Sequence, residues 1–448
     1  AQQCSVDKAG KIKTLFIFTL TCKVIIIFKI KEDYIMAIVG PLNGVTIVEL
    51  GNQVAAATCT RMMADLGANI IKVENTAGGD TYRAWPRAIG APIDDDFNPI
   101  FDVLNANKRA ISLDLKSEGG HKVMYSLLEN ADIFITNVRT KGLSHIGLDY
   151  DTLKVKFPKL IMGQQVGYGE KGPDKDKPGY DNTAFWARSG FLYGQKVDFD
   201  DSDVESYPVY MPMGMGDTAC AMSMMAGCMA ALLHARETGE GDRIIIPLYG
   251  TAMWMANIQI DGTQFGYKYP KTRNISSPFG APYKCKDGRW FMPQVANFAK
   301  DVHKFFKCIG VEDMEENPAY LVRPNYNKAD FNAPVIARFE KIFAQKTADE
   351  WCDEFRKYDL CFEKLYSYEE VLVDETAEVN DYVYTMQYPN GKSIKMVRPN
   401  IRSERTGIVE IKQGPMLGEN TVELMKEYGY DDAQIEKMLA DGAVKQHD

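Results

Sequence analysis

With 448 residues, 45% of them hydrophobic and 25% charged, the chain is long enough for two or three globular domains with sizeable cores. A formal net charge of −9 argues against a nucleic-acid or anionic-membrane surface as principal partner, because either needs a concentrated basic field. Nine cysteines, an odd number without a CxxC pair, suggest neither a disulfide framework nor a zinc site and fit a reducing cytoplasm; the five histidines show no metal-ligand spacing.

In chain order, "IKTLFIFTLTCKVIIIFKIK" (12–31) is apolar but interrupted by Lys23, and Leu15 to Phe28 is shorter than the ~20 residues of a spanning helix. Residues 1–35 read as upstream sequence or a poorly structured extension before a natural start at Met36, with membrane anchoring as the other reading. From residue 42 the pattern is α/β. "GVTIVEL" (44–50) is a buried strand, "QVAAATCTRMMADLG" (53–67) a helix stopped by Gly67, and "NIIKVE" (69–74) a second strand. Such a βαβ unit implies parallel pairing and a right-handed crossover. A second cycle follows in "AISLDL" (110–115), a helix over 117–131 and "DIFITN" (132–137), and "KLIMGQQVGYG" (159–169) adds a strand ending in glycines. The expected fold is a doubly wound, Rossmann-like sheet. Its first βα turn, "LGNQVAAA", lacks GxGxxG, so a dehydrogenase is not indicated.

Residues 170–216 read as loops over the carboxyl ends of the strands, where such folds place ligands. A helix from Asp217, a strand "DRIIIPL" (242–248) and a long apolar helix (250–266) come next. The large domain is therefore expected from 40–250 and 359–448, with a linker helix at 251–268 and a smaller α+β domain at 269–358 whose entry, 269–295, holds a β-hairpin. Two short amphipathic helices in 415–444 return to the large domain.

In "MPMGMGDTACAMSMMAGCMAALLHAR" (211–236) the single charge of the first 23 residues is Asp217, at the junction of a Gly-containing turn and an apolar run. One reading is an N-cap. The other is a nucleophile: a carboxylate here can attack an acyl carbon while free N–H groups of the helix start hold the oxyanion, with Gly216 leaving backbone room for the ligand. Asp181, in "KPGYDNTAFWARSG", is either another cap or an acid/base or positioning residue beside Asp217; if close, the two like charges push their pKa values apart. Lys116, with Lys108 and Arg109 nearby, reads as solvated surface or as a phosphate clamp at a strand end. The helix methionines 222, 224, 225 and 229 read as core, and its small residues imply close contact with another helix or a second subunit. Tyr180, Phe185, Trp186, Phe191 and Tyr193 are candidates for an apolar pocket or for core.

Five colinear stretches, "LNGVTIVELGN", "TRMMADLGANIIKVE" (60–74), "NANKRAISLDLKS" (105–117), "GDTACAM" (216–222) and "LLHARETGEGDRIII" (232–246), together resemble the class III CoA-transferases over roughly residues 40–445. "GYGEKGPDKDKPGYDNTAFWARSG" (167–190) resembles the members acting on aromatic or branched 2-hydroxy acids in amino-acid-fermenting anaerobes. The resemblance implies that Asp217 attacks an acyl-CoA to form a mixed anhydride and then an aspartyl-CoA thioester. It also implies that Lys116 and Asn137 contact coenzyme A, that the chain forms an interlocked homodimer without metal or redox cofactor, and that a 2-hydroxyacyl-CoA dehydratase acts in the same pathway. The sequence departs from the formyl-CoA member: Val54, with Gln53 beside it, stands where that enzyme has Gln, Asn75 stands for an Arg, and its glycine loop is missing. Racemases of the same fold are the alternative, but they need a His before the Asp of the loop; here the stretch is Pro178-Gly179-Tyr180-Asp181-Asn182, and no His lies between 146 and 233. A non-catalytic CoA-binding protein, with Asp217 only a cap, is the third reading.

Overall fold

The computed structural model describes residues 2–447 apart from 5–14, 21–22, 31–32, 37–39, 95, 196–207, 270–272, 274–275 and 408. Of the stretch 1–35 expected to be upstream sequence or a poorly structured extension, residues 1, 5–14, 21–22 and 31–32 lie outside the described residues. Within it stand the strands Gln2–Cys4, Leu15–Leu20, Lys23–Ile30 and Asp33–Met36, paired antiparallel in that order. The chain divides into two compact units: Ala1–Phe185 with Pro212–Met255 and Thr376–Asp448, and Trp186–Met211 with Ala256–Glu375.

The first unit is built on β1 (Thr46–Leu50), α1 (Ala55–Asp65), β2 (Asn69–Glu74), β3 (Arg109–Leu113), α2 (Glu118–Glu129), β4 (Ile133–Thr136), β5 (Ile161–Val166), α3 (Met215–Thr238), β6 (Arg243–Pro247) and β7 (Val444–Lys445). Its sheet runs β6-β5-β4-β1-β2-β3-β7, all parallel except β7 against β3. This is the doubly wound order, and it reverses between β1 and β4, where ligands bind at the carboxyl ends. Side chains alternate across the sheet. Ile47, Ile133 and Ile135 pack with Cys59 and Met63 of α1 and Met224 and Cys228 of α3, whereas Val48, Phe134 and Met162 pack with Val123, Met124 and Leu127 of α2.

The small residues of α3 have a direct cause. A Cβ on Gly163 of β5 would sit 2.7 Å from Cys228 Sγ, and one on Gly227 would sit 2.6 Å from Ile244 Cγ2 of β6. The helix lies that close to the sheet and packs against α1 as well, so the expected contact with another helix is present together with close contact to the strands. Of its methionines, Met224 is buried, Met225 and Met229 pack at the margin of the core, and Met222 is exposed.

The expected linker helix is two helices, Leu248–Met255 and Asn257–Thr263, interrupted at Ala256 (φ −95°, ψ 16°), where the division between units also falls. The second unit has an antiparallel sheet of Tyr283–Lys284, Trp290–Gln294 and Cys361–Lys364 over helices Phe298–Ile309, Ala329–Phe343 and Ala348–Lys357. Phe279, Tyr283, Phe291, Phe305, Phe339 and Phe343 fill its core. It runs past residue 358 to Glu375 because Cys361–Lys364 pairs with Trp290–Gln294. The helices Thr421–Glu427 and Asp432–Ala440 return to the first unit, where Thr421 Oγ1 accepts from Ser112 N (3.1 Å) and donates to Lys445 O (2.7 Å). A hairpin of Val383–Gln387 and Ser393–Val397 was not anticipated from sequence.

Candidate active site

The start of α3 is capped, but not by Asp217. Gly214, in the left-handed conformation (φ 81°), is the N-cap residue, and Asp217 stands at the third helical position. The cap is supplied from 36 residues away. Asp181, only 6% exposed, accepts from Gly214 N–H (2.9 Å, Oδ2) and from Asp217 N–H (3.2 Å, Oδ1). A carboxylate there also complements the positive end of the helix dipole. One sequence expectation changes: the N–H groups of Gly214 and Asp217 are already bound by Asp181 and are not open to an oxyanion. Of the readings offered for Asp181, the cap is the one this geometry matches, and it makes Asp181 a positioning group. Gly216 is no roomy ligand cradle either, because a Cβ on it would meet Asp181 Oδ1 at 2.2 Å and Phe185 Cγ at 2.4 Å. Glycine at 216 is what lets Asp181 reach the helix.

With capping assigned elsewhere, the Asp217 side chain is half-buried and accepts a hydrogen bond from the Gln165 side chain. Gln165 was missed in the sequence, although its signal was present: two amides, Gln164 and Gln165, end an otherwise apolar strand. Alternation sends them to opposite faces. Gln164 Nε2 donates to Val138 O (3.1 Å) and Thr140 Oγ1 (3.2 Å), while Gln165 serves Asp217. The Tyr82 hydroxyl feels the charge of Asp217 as well, and its ring stacks on Trp85 (5.5 Å, 5°). Cys220, one turn along α3, is held up at about 12 by burial, which keeps its thiol unreactive. Of the aromatic candidates, Phe185 lies buried under Gly216 and Trp186 is buried edge-on to Phe191 (5.1 Å), while Tyr180 and Tyr193 are exposed.

Burial, and then the charge of Asp181, push the Asp217 carboxyl up to about 7, against the opposing Gln165 hydrogen bond. Because the folded-state value lies above the ordinary carboxylate value, the stability associated with this proton is complete below about pH 4 and is lost as pH rises through 7. Asp217→Asn is therefore expected to be more stable than the wild type at pH 8 by about 2 kcal/mol, allowing for partial solvent access, and nearly equal at pH 4. Urea denaturation at the two pH values measures this. Asp102, which burial also pushes up to about 7, contributes equally to both proteins and cancels.

The turn after β1 borders the same region. Gln53 is exposed and left-handed (φ 61°), a conformation that strains a non-glycine residue by ~1–3 kcal/mol and survives only where the surroundings impose it. Val54, the N-cap residue of α1, puts its Cγ1 3.5 Å from where a Gly214 Cβ would be. Asn137, after β4, donates from Nδ2 to Asn52 O (2.6 Å) and accepts from Asn52 N (3.0 Å). The expected ligand contact thus uses its amide to bridge the two strands at the switch point. From there a groove of about 230 Å³ passes Gly51, Asn52, Gly79, Asp114 and Lys116. Lys116, Leu115 and Ile146 also line an adjoining cleft of about 860 Å³ with His121, Lys122, Tyr125 and His145. Lys116 is exposed there, as a phosphate-binding cation requires.

Lys108 and Arg109 do not join it. Arg109 pairs with Glu423 and Glu427. Lys108 is buried and belongs to a charged network inside the sheet, donating to Glu49 Oε2 (2.8 Å), Ala57 O (2.9 Å) and Asn105 Oδ1 (2.9 Å). Glu49 also accepts from Thr60 Oγ1 (2.6 Å) and from Lys72 Nζ (2.7 Å) in the register-matched position of β2. Burial opposes the charge on Glu49, but Lys108 and Lys72 outweigh it and hold the carboxyl down at about 2.

The fold agrees with what comparison with known proteins finds. Residues 42–421 match the model of CoA-transferase family III. The chain is 39% identical over 406 residues to the cinnamoyl-CoA:phenyllactate CoA-transferase of Clostridium sporogenes, covering 89% of this chain and 96% of that protein. It is 38% identical over 399 residues to the (R)-2-hydroxy-4-methylpentanoate CoA-transferase of Clostridioides difficile, covering 88% and 97%. A crystal structure of a CAIB/BAIF family protein from Brucella suis shares the fold, with a TM-score of 0.72 at 24% identity over 87% of this chain and 99% of that one. The chain belongs to CoA-transferase family III, and it is a CoA-transferase enzyme.

Proposed function

We propose that the enzyme moves CoA from an acyl-CoA thioester to a 2-hydroxy acid through an aspartyl-CoA thioester on Asp217. The carrying observation is that Asp181 caps α3, which leaves the Asp217 carboxylate, raised in basicity, aimed at Gln165 rather than at its own backbone. The relatives named for phenyllactate and 2-hydroxy-4-methylpentanoate support the acceptor class. Asp217 Oδ adds to the donor's thioester carbon and CoA thiolate leaves, giving a mixed anhydride. The thiolate then attacks the Asp217 γ-carbon, the donor carboxylate departs, and an aspartyl-CoA thioester remains. The acceptor carboxylate displaces the thiolate in turn, and attack of the thiolate on the new anhydride's acceptor carbon releases acceptor-CoA and the free carboxylate. No proton is gained or lost over the cycle, so Asp181 needs no acid/base role and acts by position and charge. In this reading CoA runs along the groove with the Lys116 ammonium toward its phosphates. Gln53 and Val54 lie toward its thiol end, where Val54 packs at the start of α3. Asn137 supports the wall through Asn52, and Gly216 acts by admitting Asp181 to the helix start.

The same reading places the enzyme in the cytoplasm as an interlocked homodimer. A 2-hydroxyacyl-CoA dehydratase would consume its product. Incubation with acyl-CoA followed by hydroxylamine or borohydride tests the intermediate: modification of the Asp217 peptide supports it, and an unmodified peptide in a turning-over enzyme counts against it. Asp181→Asn supplies a second check. With the neighbouring charge removed, the acid limb of kcat/KM, expected near pH 7, should move down by about one unit, and kcat should fall about tenfold as the cap weakens. An acid limb that stays in place would dissociate Asp181 from the titration of Asp217.

A further inference from the structure

The strain at Gln53 has a visible source. Its N–H donates to Asp80 Oδ1 (2.9 Å), and the same oxygen accepts the N–H of Tyr82 (2.9 Å). Asp80 Oδ2 takes the Lys72 ammonium (2.9 Å), and the Asp80 N–H is bound to Glu74 Oε1 (2.8 Å). Asp80 is 1% exposed, and through Lys72 and Glu49 it is continuous with the charged network of the sheet interior. Three donors converge on its two oxygens, so a carboxylate fits and an amide does not: whichever way an Asn turned, its NH₂ would face a donor.

Its two backbone contacts reach two elements that border Asp217. Gln53 leads into Val54, which packs at Gly214, and Tyr82 carries the hydroxyl that feels the Asp217 charge. We infer that Asp80 is a positioning residue for the transfer reaction: it holds the Gln53 turn in its left-handed conformation and so sets Val54 against the start of the helix that carries Asp217. This rests on Asp217 being the reacting group.

The test is a double-mutant cycle of Asp80→Asn and Gln53→Gly. Glycine adopts a φ near +60° without strain, so a turn made of it needs no carboxylate to impose the shape. Asp80→Asn alone should lower kcat about 30-fold. In the Gln53→Gly background the same change should cost at most about 3-fold. Thr60→Val removes one hydrogen bond at the far end of the network and should lower the melting temperature without lowering kcat. A wild-type kcat for Asp80→Asn, the same penalty in both backgrounds, or an equal loss in Thr60→Val would each overturn the inference. Asp217→Asn separates this failure from that of the underlying reading. If that variant is active, the nucleophile assignment fails; if it is inactive while Asp80→Asn is fully active, only the positioning role fails.

Discussion

Asp217→Asn is expected to lower CoA transfer by at least about 10³-fold while acyl-CoA binding changes only a few-fold. The substitution keeps the size of the side chain and its place at the third position of α3, and leaves the Gly214 and Asp217 N–H groups on Asp181, because those bonds involve the backbone of 217. It removes only one oxygen and the charge of the carboxylate that the proposed mechanism makes the nucleophile. Loss of rate without loss of binding or stability would therefore belong to chemistry, and the stability gain expected at pH 8 makes misfolding an unsuitable explanation. Initial rates with a phenyllactate or 2-hydroxy-4-methylpentanoate acceptor, alongside acyl-CoA binding by calorimetry, measure both quantities. A variant transferring CoA at the wild-type rate would sink the covalent mechanism.

Gly216→Ala has the next largest expected effect. Its methyl group would lie 2.2 Å from Asp181 Oδ1 and 2.4 Å from the Phe185 ring, and neither is a flexible chain end: one is engaged in two hydrogen bonds and the other is buried in core. Overpacking of this kind costs ~1–3 kcal/mol, and displacement of the cap adds ~1 kcal/mol. A loss of about 2–4 kcal/mol in urea denaturation is expected, together with a fall in kcat of about 10²-fold because Asp217 moves with the helix start. Gly78→Ala is the matched control, since a Cβ there meets nothing within 4 Å. Equal behaviour of the two variants would show that the packing at 216 does not matter.

The parallel strands were legible because a strand buried on both faces is almost continuously apolar, as in "NIIKVE" and "DIFITN", and its helix announces itself by period and by a stopping glycine. The same rule should have flagged Glu49 and Lys72, charges in the middle of such strands, as a buried pair. Lys108 was misplaced for a related reason: local sequence shows a lysine in a charged run but not the glutamate 59 residues away that buries it. Asp217 could be singled out from its surroundings alone. Its relation to Asp181 could not, because a cap supplied from 36 residues away leaves no local spacing to read. The break at Ala256 lies inside a stretch without proline, and nothing in "WMANIQ" distinguishes it from a continuing helix.

The cap on α3 also bears on which state of the enzyme is at rest. In the proposed cycle Asp217 alternates between a carboxylate and neutral acyl forms, so its charge stands against that of Asp181 only when no group is covalently attached. Each acylation removes that repulsion and each release restores it. The free enzyme is then the compressed spring of the proposed cycle and the thioester its relaxed form, which favours an enzyme that keeps CoA attached until an acceptor acid arrives over one that loses the thioester to water.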